Sequence, residues 1–170
     1  MIEYNRVELG KAAKERGFVR DTFEKVLRLK EILRYFNEDK YLKEHLVLKG
    51  GTAINMTIFN LPRLSVDIDM DFTPNYSKAD TEVNRKEITE RLQRYMQEEG
   101  YHLSESSRYS HSLDSFLFQY QNAGGNRDNI KVEINYSLRS HIFAPVERKI
   151  VTDAFDDSME IRTLEPMDLD

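Results

Sequence analysis

Asp67-Ile68-Asp69 is the part of this chain whose residue types and spacing best suit chemistry. Val66, Ile68, Met70 and Phe72 alternate with Asp67, Asp69 and Asp71, and that period of two predicts a strand. Alternate strand residues share a face, which sets the carboxylates side by side with their bases roughly 6.5–7 Å apart. Asp is depleted in strands and like charges on one face repel, so a merely solvated edge is an uncomfortable reading. A divalent cation relieves that repulsion. Mg²⁺ keeps several waters and takes one or two carboxylates plus substrate phosphates, which matches what this strand offers.

Two further features acquire meaning beside it. Lys49-Gly50-Gly51-Thr52 follows the apolar run His45-Leu46-Val47-Leu48, at an expected strand-to-helix junction. Glycines there let the backbone approach a ligand, and helix N-terminal amides attract phosphate. A Gly pair ending a strand is also an ordinary turn. Glu133 lies in a later strand pattern, with Ile130, Val132, Ile134 and Tyr136 on one face and Lys131, Glu133 and Asn135 on the other. Such a Glu is most often solvent-facing. It matters if its strand lies beside Asp67 and Asp69, because a third carboxylate then completes a two-metal clamp.

The elements that must position these residues are legible in outline. Phe23, Val26, Leu27, Leu29, Ile32, Leu33 and Phe36 recur at helical spacing, with Asp21 placed as a cap and Glu24 three residues on. Thr52 to Phe59 reads as a short helix ending before Leu61-Pro62. A long helix is expected from about Ala79 to Glu99, with Val83, Ile88, Leu92, Tyr95 and Met96 on its apolar side and Gly100 as its C-terminal stop. Phe116, Phe118 and Tyr120 form an alternating strand whose aromatics belong to the core, followed by a Gly-containing turn from Asn122 to Asn129. Weaker strand signals stand near Lys149–Thr152 and Met159–Thr163. The order implies an α+β (mixed α/β) fold, a mixed β-sheet flanked by helices.

Composition narrows the function classes. The 170 residues suit about one domain. Zero Cys excludes disulfides, zinc–thiolate sites and a Cys nucleophile. No apolar run approaches the ~18 residues of a membrane span, and the N-terminus has no signal-peptide segment, so no membrane partner and a cytoplasmic location are expected. His45, His102, His111 and His141 are too scattered for a zinc site, and His111 beside Ser112-Leu113-Asp114 is local crowding rather than a triad. The net charge of −5 is uneven: the last twenty residues carry one basic and seven acidic side chains, and the first 150 sum to +1. The acidic average is therefore no argument against a nucleotide or RNA partner.

Taken together, Gly50-Gly51-Thr52, Asp67-Ile68-Asp69 and the later carboxylate resemble the DNA polymerase beta-type nucleotidyltransferase superfamily. The longer string LVLKGGTAINMTIFNLPRLSVDIDMDF resembles the AbiEii/AbiGii abortive-infection toxin family, with its KGGT-type turn, helix, Arg-x-Ser (Arg63, Ser65) and Asp-x-Asp-hydrophobic. That resemblance implies a nucleotidyltransferase-type sheet and a Mg²⁺-dependent transfer of NMP from NTP to an acceptor hydroxyl, with the tRNA 3′ end favoured. It also implies a cognate antitoxin protein. Asp67 and Asp69 would hold Mg²⁺, and Glu133 would be the third metal carboxylate, helping to deprotonate the acceptor. Gly50, Gly51 and Thr52 would hold outer phosphates. Lys49 and Arg63 are charge partners either for phosphate or for Asp67 and Asp69, with an internal salt bridge as the equal alternative. Asp71 falls outside the pattern and is expected to stabilise or be solvated. The alternatives are a small-molecule or protein hydroxyl as acceptor, or a catalytically silent nucleotide- or partner-binding module. Family members continue into a helical C-terminal half, so residues 1–170 are expected to be a single catalytic domain without it.

Overall fold

The computed structural model describes residues 4–49 and 67–137, together with the backbone of 146–149 and 160–163. Its elements in chain order are α1 (Arg6–Glu15), α2 (Arg20–Glu38), α3 (Lys40–His45), β1 (Leu46–Lys49), β2 (Asp67–Phe72), α4 (Lys78–Glu98), β3 (His102–Leu103), β4 (Arg108–Tyr109), β5 (Leu113–Gln121), β6 (Arg127–Asn135), β7 (Val146–Lys149) and β8 (Glu160–Thr163). The expected helix at Thr52–Phe59 lies outside the described residues, as do Gly50, Gly51, Thr52, Arg63 and Ser65.

The strands form one mixed sheet in the order β3-β5-β6-β2-β1-β8-β7, with β4 also pairing with β5. β2 and β6 are parallel neighbours, whereas β1 meets β2 and β5 meets β6 in antiparallel fashion. The mixed α/β expectation holds. On one face, Ile68, Met70 and Phe72 of β2, Ile130, Val132 and Ile134 of β6, and Phe116, Phe118 and Tyr120 of β5 are buried. They join Leu29, Ile32, Leu33 and Phe36 of α2 and Ile88, Leu92 and Met96 of α4 in one core. The two long helices are locked side by side on that face. Tyr35 stacks on Tyr95 at 4.0 Å, and the Tyr95 hydroxyl donates to the Glu31 carbonyl.

Several local expectations need correction. Asp21 does not cap α2; Val19 is the N-cap with no side-chain bond, and Asp21 sits in the first turn paired with Arg20. Phe18 packs on Phe23 at 5.8 Å, a hydrophobic contact across the helix start that sets the entry of the chain two residues earlier. Val83 is 70% exposed rather than apolar-side. It lies about 140° around the helix from Ile88, off the Ile88–Leu92–Met96 stripe. His45 closes α3 instead of opening a strand, because Asp39 accepts from the Leu42 amide and nucleates that extra turn. The β5–β6 turn is shorter than expected, since Asn122 Oδ1 and its carbonyl bind the amides of Asn126 and Gly125 and pairing resumes at Arg127. Of 149–152, only Lys149 falls in a described strand, while β8 matches the 159–163 signal.

Helix α1 escapes the pattern reading because only Leu9 and Ala13 of its ten residues are buried; Asn5 caps it through the Val7 and Glu8 amides. Gly100 stops α4 as expected, at φ 87° with the Tyr101 amide reaching back to the Met96 carbonyl.

Candidate functional site

The face of the sheet opposite α2 and α4 carries the charged residues, arranged by register. Asp69 is the partner of Glu133 across β2–β6, of Lys49 across β1–β2, and Glu133 is in turn the partner of Ser115 on β5. The next row is Asp67, Lys131 and Leu117, and on the other side lie Val47, Asp71 and Asn135. The condition under which Glu133 would matter is therefore met. Paired strands lie about 4.8 Å apart, which brings the Asp69 and Glu133 carboxylates to the same patch. Parallel pairing keeps their side chains on the same face.

The electrostatics follow from this crowding. Partial burial raises the Asp69 carboxyl above the ordinary Asp value, and the charges of Glu133 and Asp67 push the same way against the weaker pull of Lys49 and Lys131. Lys131 Nζ stands 2.8 Å from Glu133 Oε1 and 3.7 Å from Asp67 Oδ2. Its hydrogen bond to Glu133 raises the Lys131 pKa. Lys49 takes the internal alternative: its ammonium is 2.6 Å from Asp71 Oδ1. Asp71 is 3% exposed, the stabilising rather than the solvated expectation. The pair is close but poorly angled, and neither Asp71 oxygen has a hydrogen bond among the described residues.

Fit to a divalent cation can be judged from these donors. Hard carboxylate oxygens on adjacent strands, one of them destabilised as an anion by its neighbours, suit Mg²⁺ in chemistry and in register. The three side chains do not converge as a ready ligand cluster among the described residues, and the Lys131 ammonium lies between two of them. The register thus supplies one or two carboxylates at a time, the number that Mg²⁺ takes beside substrate phosphates.

Residues 31–169 match the family model described as nucleotidyl transferase AbiEii toxin, type IV toxin–antitoxin system. The chain belongs to the AbiEii toxin family. No curated protein matches the sequence. Among solved structures, the nucleotidyltransferase toxin MenT4 (Rv2826c) from Mycobacterium tuberculosis H37Rv is similar at TM-score 0.63 and 14% identity, over 96% of this chain and 56% of that one. JHP933 from Helicobacter pylori is similar at TM-score 0.48 and 17% identity, over 82% of this chain and 52% of that one. The chain spans about half the length of the solved structures it matches. The MenT4 likeness is one of fold: the mixed sheet flanked by helices is similar to that of this neighbour.

The AbiEii match contains Lys49, Asp67, Asp69 and Glu133, and leaves α1 and the first half of α2 outside it. Lys131 and Ser115 stand beside the candidate carboxylates in register and were not among the residues expected there. The Lys131 signal was present, because residues i and i+2 of a strand share a face and Lys131 precedes Glu133 by two. Ser115 is reached only through the β5–β6 register. A separate cavity of about 380 Å³ lies at the far ends of β2 and β6, lined by Tyr76, Lys78, Glu82, His111 and Tyr136 among others, and includes none of the expected site residues. Among the described residues, no helix is long and apolar enough to cross a membrane.

Proposed function

We propose that residues 1–170 form the catalytic domain of a nucleotidyltransferase toxin that transfers NMP from NTP to an acceptor hydroxyl, with the tRNA 3′ end as acceptor. The observation that carries this reading is the pairing of Asp69 with Glu133 on adjacent parallel strands, on the face turned away from the core. Membership in a toxin family of type IV systems supports the class of reaction and an antitoxin as partner. The site acts in the cytoplasm, where NTP and tRNA are found.

In this mechanism Asp67 and Asp69 would hold Mg²⁺, and Glu133 would complete the carboxylate set. Bound Mg²⁺ supplies charge neutralisation on the triphosphate and a lower barrier to deprotonating the acceptor. The family resemblance assigns Gly50, Gly51 and Thr52 to the outer phosphates, through backbone amides and a hydroxyl, and assigns Arg63 and Ser65 to the nucleotide as well. Glu133 takes the proton of the acceptor hydroxyl as its oxygen attacks the α-phosphorus in line. The bond to the bridging oxygen breaks and pyrophosphate leaves. No nucleophilic side chain is required, because such transfer asks the protein mainly for positioning and charge balance. Lys49 acts from behind this set, holding Asp71 and hence the end of β2.

The test is incubation of the full chain with each α-labelled NTP, Mg²⁺ and total tRNA. Label on tRNA that disappears with Asp67→Ala is the expected result. Label on a small molecule or on protein moves the acceptor elsewhere. Metal-dependent NTP binding without transfer to any acceptor defeats the enzyme reading in favour of a silent binding module.

A further inference from the structure

The register that creates the carboxylate patch also places a cation in it. Lys131 is the cross-strand partner of Asp67 and precedes Glu133 by two residues on the same face of β6. Its ammonium reaches both carboxylates, at 3.7 and 2.8 Å. Asp69 occupies the neighbouring lattice position, register partner of Glu133 and two residues from Asp67. Among these four side chains three negative charges meet one positive charge, an excess of the size that one divalent ion neutralises.

Lys131 and a divalent ion compete for the same oxygens. A Mg²⁺ bound to a carboxylate sits ~2.1 Å from its oxygen, and an ammonium 2.8 Å from that oxygen would face it at repulsive range. Departure of the Lys131 ammonium is easy. Its side chain is 38% exposed, its four-carbon stem is flexible, and exposed ion pairs hold weakly. The triphosphate that arrives with the metal offers the displaced ammonium new oxygens in the same patch.

We propose that Lys131 is the resting counter-ion of the carboxylate patch, displaced by the incoming divalent cation and taken up by the phosphates of the nucleotide. This rests on the assignment of Asp67, Asp69 and Glu133 as metal carboxylates. It makes Lys131 a positioning residue with two opposite effects: it weakens binding of the metal alone and strengthens binding of metal plus polyphosphate. A purely structural salt bridge would produce neither sign.

The experiment titrates Mn²⁺ into the full chain by calorimetry and by the loss of the free-ion EPR signal, for wild type, Lys131→Met, Lys131→Gln and Lys131→Arg. Circular dichroism verifies folding, and the Gln variant serves if the Met variant does not fold. Removal of the charge is expected to tighten Mn²⁺ binding about fivefold, and Lys131→Arg to remain within about twofold of wild type. Inorganic tripolyphosphate is then titrated in saturating Mn²⁺, where the same neutral variants are expected to bind about fivefold more weakly. Unchanged Mn²⁺ affinity in both neutral variants overturns the counter-ion role, and unchanged tripolyphosphate affinity overturns the transfer to phosphate. Glu133→Gln separates this inference from its basis. Equal Mn²⁺ binding by Glu133→Gln and wild type, or no binding by any of the proteins, refutes the metal assignment itself, whatever Lys131 does.

Discussion

The two faces of β2 and β6 differ completely although they alternate residue by residue. Towards α2 and α4 stand Ile68, Met70, Ile130, Val132 and Ile134, each at most 2% exposed. Towards the other side stand Asp67, Asp69, Lys131 and Glu133, all part-exposed and mutually charged. The inner face gains from every apolar atom removed from water. The outer face is held in an arrangement it would not choose, since Asp69 is crowded by two other carboxylates. The difference teaches where the stability of the domain resides and which face is left for the proposed chemistry. The core makes the strand pairing obligatory, and the pairing then imposes proximity on groups that repel.

Substitutions on the two faces should separate these roles. Asp69→Ala is expected to lower transfer on the order of a thousandfold, since it removes a proposed metal carboxylate, while thermal stability in EDTA is held or raised. A fall in Tm comparable to that of a core variant would break the contrast. Phe116→Ala, on the inner face, should do the reverse. Its fully buried ring predicts a loss of about 3–5 kcal/mol in urea unfolding, with activity per folded molecule retained at low temperature.

Asp71 sharpens the comparison because it occupies the outer lattice yet is buried like a core residue. Asp71→Ala strands the Lys49 ammonium, and a cost of about 3 kcal/mol is expected from chemical denaturation. A merely surface-like change there would show that the charged face extends to the end of β2.

The core side also has a pH signature. Burial raises Tyr4 and Tyr35 to about 12, each from an ordinary value of 10. The unfolded chain therefore releases these protons first. Their contribution to stability is complete below pH 10 and is lost as pH rises through about 12. Absorbance at 295 nm should show these two tyrosines ionising only as pH rises through about 12, or together with unfolding. Early titration of every tyrosine would remove the argument. The smallest effect belongs to Val83, whose replacement by Ser should change stability by less than about 0.5 kcal/mol.

Much of this is legible in the sequence alone. The period-two alternation at 66–72 and 130–136 identified which residues share a face, and the 3.6-residue recurrence located α2 and α4. Those signals survive because burial demands them on every turn and every second residue. Elements with little buried surface left weaker traces. α1 buries two residues, and β3 and β4 are two residues each. Val83 misled because a single apolar residue says nothing of the helix angle at which its neighbours are buried.

By itself, the sequence determined the strand carrying Asp67 and Asp69, the strand carrying Glu133, and the face of each on which those carboxylates lie, because alternation is a local property of one segment. Only the tertiary structure decided that these two strands are parallel neighbours, with Asp69 opposite Glu133, and that Lys131 rather than Lys49 stands among the carboxylates. Register is a relation between segments 64 positions apart, at Asp67–Lys131 and Asp69–Glu133 alike, and the inner face covered by α2 and α4 holds it. No pattern within either strand contains it, since each could present the same alternating faces to a different neighbour.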